Sequence, residues 1–406
     1  MNVIQRIFSK TQKKKIQQSI IINLMNKTKS CTFSVKMNLK TPYVDQEIKK
    51  FSKTTPIEEA LTPPSSWYLS NEFYEYEMEK VFKKNWVGLF SNHQLKNSGD
   101  FISGELINQP FLFVKNDKEE IKCFYNVCSH HASTIKEGSG SCKELVCPYH
   151  GWTYNYDGAL TKCTSMKGIK NFKIKENGLK PIKSQNIGNI LFLNFNNSPN
   201  FDFDEQFFNL TKPFKKALRE NNFKDDFSEL AFVKSANYLI KCNWKVFVDN
   251  YCDGGYHVPF AYKDLSSNLD LSTYKIEIYE KCSLQIVKSN KNEKRIGNSA
   301  VYCYIYPNIC FNRYGPWLDI NVVIPLNEKE CIVKIEWFVD KEYLENKTFI
   351  KECLTKSEVV QKEDVYLCEN VMKGIKSDAY DKGRYIPSKE APAYQFHMDL
   401  LGDLNE

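Results

Sequence analysis

A chain of 406 residues, 42% hydrophobic and 26% charged, is long enough for two or three domains with cores of their own. A net charge of +7 suits nucleic acid, but residues 1–44 hold nine Lys or Arg and no acid. The remainder, 47 basic against 49 acidic side chains, excludes a basic nucleic-acid face. Fourteen cysteines scattered over so long a chain exclude the disulfide scaffold of a small secreted protein and fit a reducing compartment.

Segment 1–44 reads as an organelle transit peptide. Arg6, Lys10 and Lys13 to Lys15 are interleaved with Val3, Ile4, Ile7 and Phe8, and the first acid is Asp45. A mitochondrion is the first expectation; a plastid, or a cytoplasmic chain with a disordered basic tail, are the alternatives. The apolar run Ile20-Ile21-Ile22 ends at Asn23, too short to span a bilayer, so no membrane partner is expected.

The folded part is expected to begin near Pro63-Pro64, within a helical segment 45–85 that packs on a later domain. Tyr74, Met78, Val81 and Phe82 follow the helical period there. Residues 86–200 change to short strands, at 101–106, 111–115, 121–125, 152–156 and 190–195, broken by the turn signals Asn116-Asp117 and Asp157-Gly158. This is a small all-β domain.

Its loops carry Cys128-Ser129-His130 and, sixteen residues later, Cys147-Pro148-Tyr149-His150. Each arm offers one thiolate and one imidazole. That is what a Rieske [2Fe–2S] cluster needs, with Cys128 and Cys147 on one iron and His130 and His150 on the other. Zinc sites also use Cys and His but pair like with like, C-x2-4-C and then H-x3-5-H. His131 neighbours a ligand and is not expected to be one. Gly138-Ser139-Gly140 is read as flexible backbone between the arms.

Residues 201–406 form the second domain, opening with a helix near 204–221 and a strand near 230–240. Asn243 then caps a helix whose Trp244, Phe247, Val248 and Tyr251 share one face. Gly254-Gly255 lets the backbone bend before His257. Strands at 300–306, 309–312, 319–324 and 330–339 suggest an antiparallel sheet. A long helix over 347–376 precedes an irregular tail. On that helix Asp364 lies in the apolar stripe of Val360, Leu367 and Val371, where a carboxylate needs a cation or a proton. A solvated stripe edge or a salt bridge is the alternative.

The two Cys-His arms, the 243–257 helix and turn, and the Asp364 helix together resemble the α subunit of a Rieske non-haem iron oxygenase. Three stretches narrow the resemblance to the choline monooxygenase family: NWKVFVDNYCDGGYHVPFAYKDL (243–265), YIYPNICFNRYGPWLDINVVIPL (304–326) and EDVYLCENVMKGIKSDAYDKGRY (363–385). The resemblance implies an α+β protein, with an all-β Rieske domain joined to a helix-grip domain in which an antiparallel sheet wraps a helix. It implies a mononuclear Fe(II), O2 and a small quaternary ammonium co-substrate, a ferredoxin-type electron donor and a homotrimer. The reaction implied is oxidation of choline to betaine aldehyde.

Carried over onto this sequence, the resemblance makes His257 and Asp364 iron ligands, the facial triad leaving open positions for O2 and substrate. Asp253 is implied as the carboxylate that couples His257 to the cluster of the next chain. The family's second iron-binding His should stand five residues after the first, and this chain has Tyr262 there. The sequence has only six His, namely His93, His130, His131, His150, His257 and His397, and none adjacent replaces it. Tyr262 is therefore either a phenolate ligand or a break in the site. Phe260, Tyr306, Tyr314 and Trp317 are candidates for an aromatic cage around the ammonium group, or ordinary core aromatics. Three functions stay open: a choline monooxygenase, an N-demethylase of betaine or carnitine, and an electron-transfer protein with an impaired iron site.

Overall fold

The computed structural model describes residues 40–196, 202–290 and 295–406, so all but the last five residues of the expected transit peptide lie outside it. Strands rich in alternating apolar residues dictate the architecture. In the second half β11 (Leu230–Ile240), β12 (Leu269–Tyr279), β13 (Cys282–Ser289), β14 (Ser299–Ile305), β15 (Ile309–Tyr314), β16 (Trp317–Asn327) and β17 (Glu330–Asp340) form one antiparallel sheet in the order β11-β17-β16-β15-β14-β13-β12. Val301, Cys303, Ile305 and Phe311 point to one face; Ala300, Tyr304 and Cys310 point to the other, and all are buried. A sheet apolar on both faces needs cover on both.

Helix α3 (Phe203–Glu220), named after α1 (Pro42–Lys49) and α2 (Asn71–Glu77), covers the first face through Phe207, Leu210 and Phe214. The second face receives α4 (Trp244–Tyr251), α5 (Lys347–Ile375) and α6 (Ala391–Asn405). The expected antiparallel sheet and long helix are both present. Two of its strands, β12 and β13, were not among the strands expected from the sequence; β12 is half-exposed along most of its length, whereas β13 is largely buried.

The tail expected to be irregular is helix α6, which buries Phe396, Leu400, Leu401 and Leu404. Pro392 sits in its first turn, where the missing N–H costs nothing. The predicted 74–82 helix is α2 continued by a π-helical turn, Met78–Phe82.

In the first half, three small antiparallel sheets stack: β1 (Val87–Ser91) with β10 (Ile190–Asn194) and β9 (Lys183–Ile187); β2 (Asp100–Leu106), β3 (Gln109–Lys115), β4 (Ile121–Tyr125) and β5 (Ser139–Ser141); and β6 (Leu145–Val146), β7 (Thr153–Tyr154) and β8 (Leu160–Lys162). The 138–140 stretch is thus no free linker. Its Gly140 pairs with Phe101 in the edge strand β5.

The segment before residue 85 is tied to the second domain by a buried ion pair. Lys245 Nζ lies 2.6 Å from Glu77 Oε1, both side chains fully enclosed. The Tyr68, Phe73 and Trp244 rings pack around the ammonium. Burial pushes the Glu77 pKa up and the Lys245 pKa down, against their mutual attraction. Removing one partner strands a buried charge, so Lys245→Met should cost about 3–5 kcal/mol in denaturant unfolding. Pairing it with Glu77→Leu should recover most of that loss; a single variant as stable as the parent would contradict the account.

Candidate metal centres

The two Cys-His arms fold into the same loop. Cys128 N–H bonds the Ser133 carbonyl at 2.9 Å, and Cys147 N–H bonds the Trp152 carbonyl at 2.8 Å, each five residues on. Four residues on, the Ala132 and Gly151 N–H groups return to the Cys128 and Cys147 carbonyls, both at 3.0 Å. Both of those residues have left-handed backbones, φ 58° and 70°. Ala132 therefore holds a conformation that costs a Cβ-bearing residue about 1–2 kcal/mol.

The repeat buries the two thiols and turns the imidazoles outward, with the His130 and His150 rings 4.7 Å apart at 72°. Trp152 stacks on His130 at 4.6 Å, and the Tyr154 hydroxyl lies 3.2 Å from Cys128 Sγ. Two sheltered soft donors opposite two outward imidazoles fit a [2Fe–2S] cluster of Rieske type. His131 lies 4.1 Å from the His130 ring, outside the repeated positions.

The second centre is built from three elements. Helix α4 ends at Tyr251, because Gly254 and Gly255 take φ of 67° and 72°. A Cβ at Gly254 would stand 1.9 Å from the Lys389 carbonyl oxygen, so only glycine fits. The tight turn brings Asp253 back on His257: its Oδ2 accepts from the His257 N–H at 3.0 Å and also bonds the ring Nδ1. That contact fixes the imidazole and leaves Nε2 for another partner. Burial opposes charge on the imidazole, but Asp253, helped by Asp364, outweighs it and raises the His257 pKa.

After one more turn, Val258–Ala261, the chain places Tyr262 against His257, ring centroids 4.8 Å apart. From α5, Asp364 Oδ1 accepts from the Tyr262 hydroxyl and, at 2.7 Å, from Asn250 Nδ2. Desolvation raises the pKa of both Asp364 and Tyr262. The carboxylate is thus satisfied by an amide and a phenol, and among the described residues no salt bridge to it is found; the expected apolar stripe does not hold, since Val371 is exposed and Gln361 and Cys368 take the buried face. His257, Asp364 and Tyr262 offer one nitrogen and two oxygen donors at a single cavity wall, a set that fits a hard or borderline divalent metal such as iron.

That wall belongs to a cavity of about 120 Å³ between α4, α5 and the inner sheet face. Gln285, Tyr302 and Asn312, one rung of the sheet, line it, and the same rung continues through the β15-β16 pairing to Asp319. Tyr251 donates to Asn312 Oδ1 at 2.8 Å, and Tyr274 to Gln285 Oε1 at 2.7 Å. Of these only Tyr251 was named from the sequence, as part of a helix face; polar residues at inward strand positions were the available signal for the rest.

The aromatic candidates are placed elsewhere. Tyr306 donates to Asp403 at 2.8 Å, Tyr314 to Asp319 at 2.6 Å, Trp317 is core, and Phe260 is 78% exposed. Phe247, Tyr251, Tyr274 and Tyr302 line the cavity instead.

At the end of the rung Asp319 is enclosed, and burial pushes its pKa up to about 7. A raised folded-state value means that its contribution to stability is complete below the unfolded pKa of about 4 and is lost as pH rises through 7. Asp319→Asn should flatten that part of the stability–pH curve, measured by denaturant unfolding at several pH values; an unchanged slope would refute it.

Comparison with known proteins agrees with this geometry. Residues 85–173 match the Rieske [2Fe-2S] domain, and residues 227–401 match the catalytic domain of the ring hydroxylating alpha subunit. The chain is 40% identical over 370 residues to the chloroplastic choline monooxygenase of Arabidopsis thaliana, covering 89% of this chain and 87% of that one. It is 33% identical over 359 residues to that of Spinacia oleracea, covering 87% and 80%. Among solved structures, a quaternary ammonium Rieske monooxygenase shares the fold, with TM-score 0.76 at 21% identity over 87% of this chain and 99% of that one. The chain is a Rieske non-haem iron oxygenase, with a [2Fe–2S] cluster and a mononuclear iron as cofactors, and it belongs to the choline monooxygenase family.

Proposed function

We propose that this chain oxidises choline to betaine aldehyde, with O2 and with electrons from a ferredoxin-type donor. The observation that carries the reading is the cavity wall. It contains Asp253 and Asp364, four aromatic side chains beside Tyr262 and, among the described residues, no Lys or Arg. A quaternary ammonium finds attraction there from both charge and ring faces, about 0.5–2 kcal/mol per ring. On the described lining a substrate carboxylate would meet Asp253 and Asp364 and no Lys or Arg, which favours choline over the betaine and carnitine demethylase reading.

Cys128, Cys147, His130 and His150 would hold the cluster, the imidazole side facing solvent. His257 through Nε2 and Asp364 would hold the iron, with Tyr262 in the third protein position. A bound iron supplies O2 activation; the chain's residues orient it and the substrate. Asp253 holds the His257 ring in one tautomer, and Asn250 holds the Asp364 carboxylate. The exposed Tyr256 and Phe260 flank His257, and the exposed Tyr149 stacks on His150 at 3.8 Å. These apolar rims support a head-to-tail homotrimer, in which the cluster of one subunit serves its neighbour's iron. The relatives named above are chloroplastic, which supports a plastid and turns the expectation away from the mitochondrion.

Tyr262 separates enzyme from electron-transfer relic. Its phenol is pushed towards the protonated state by burial and by Asp364, and a neutral phenol is a weak ligand. Tyr262→His should raise iron retention and choline-dependent O2 uptake severalfold, read beside betaine aldehyde formation in both forms. If the parent forms betaine aldehyde and the substitution abolishes it, Tyr262 has a positive catalytic role. A parent that never forms it, iron-loaded and with reduced donor, would overturn the proposed function.

A further inference from the structure

Most polar side chains of the cavity wall already have partners. Gln285 accepts from Tyr274 and donates from Nε2 to the Tyr251 carbonyl at 2.9 Å; Asn312 accepts from Tyr251; Asn250 donates to Asp364. Asn321 differs. It stands on β16 two residues beyond Asp319, on the same face, opposite Cys310 and Ile335. It lines the cavity and is 2% exposed, yet among the described residues its Oδ1 has no hydrogen-bond partner.

A buried amide oxygen left unpaired costs free energy that a ligand's donor can recover. The cavity is far smaller than the 300–1,000 Å³ typical of drug-sized ligands, so its occupant has few heavy atoms. A quaternary ammonium group has no N–H to offer. The donor that suits Asn321 is therefore a hydroxyl on the same small molecule, with the cationic end left to the Tyr251, Tyr274 and Tyr302 rings.

We propose that Asn321 is a specificity-determining, substrate-binding residue, whose Oδ1 accepts a hydrogen bond from the hydroxyl of a quaternary ammonium alcohol. This rests on the choline reading above and deepens it. The amide selects alcohols over quaternary ammonium ions that lack the hydroxyl. It also fixes the depth at which the hydroxyl-bearing carbon sits relative to His257 and Asp364.

The test is calorimetric binding of choline and of ethyltrimethylammonium, which lacks only the hydroxyl, to the holoprotein without oxygen. The parent should bind choline about tenfold more tightly or better, since a site built around a hydroxyl rejects its absence. Asn321→Leu should weaken choline about tenfold and leave ethyltrimethylammonium within about twofold, with KM for choline rising more than kcat falls. A ratio that persists in the variant overturns the inference. So does a parent that turns over choline but binds both cations equally, a result that needs no variant to fold and leaves the choline reading standing. A parent that binds neither cation overturns the choline reading itself.

Discussion

The second domain is organised around a carboxylate that cannot be left alone. Asp364 on α5 is removed from water enough for desolvation to raise its pKa, and an unpaired charge there would cost several kcal/mol. It is met by Asn250 from α4 and by Tyr262 from the turn after His257. The two contacts fasten three elements, α4, the His257 turn and α5, to one another over the inner sheet face. The same contacts collect the nitrogen and oxygen donors that a divalent metal needs. Structural satisfaction and metal affinity draw on one set of atoms, so a metal arriving there competes with the Tyr262 phenol for Asp364.

The first domain solves a different problem with the same economy. Two loops of identical hydrogen-bond pattern shelter two thiols and expose two imidazoles. Because each loop is closed by local backbone bonds, its chemistry is written in a few adjacent residues. That is why the two Cys-His loops could be expected to meet from their spacing, and why the helix cap at Asn243 and the Gly254-Gly255 bend could be read from residue type.

What the sequence hid was long-range. The cavity wall joins Gln285, Tyr302 and Asn312 from three strands, and only strand register brings them into a rung. One of those strands, β13, was not recognised at all. The aromatic cage was sought near Tyr306 and Trp317, but strand alternation and the packing of α6 send those rings into the core. Asp364 stood out because the stripe expected around it was wrong for a carboxylate, whereas its Asn250 partner, 114 residues away, gave no local sign.

The most direct test of the account is the iron content of the purified, reconstituted protein. A cluster together with a filled His257–Asp364 site predicts about three irons per chain, with two of them giving the Rieske electron-paramagnetic signal on reduction. A stable two irons per chain, unchanged by added Fe(II), would mean that Tyr262 has closed the second site. The oxygenase account of this chain would then be wrong.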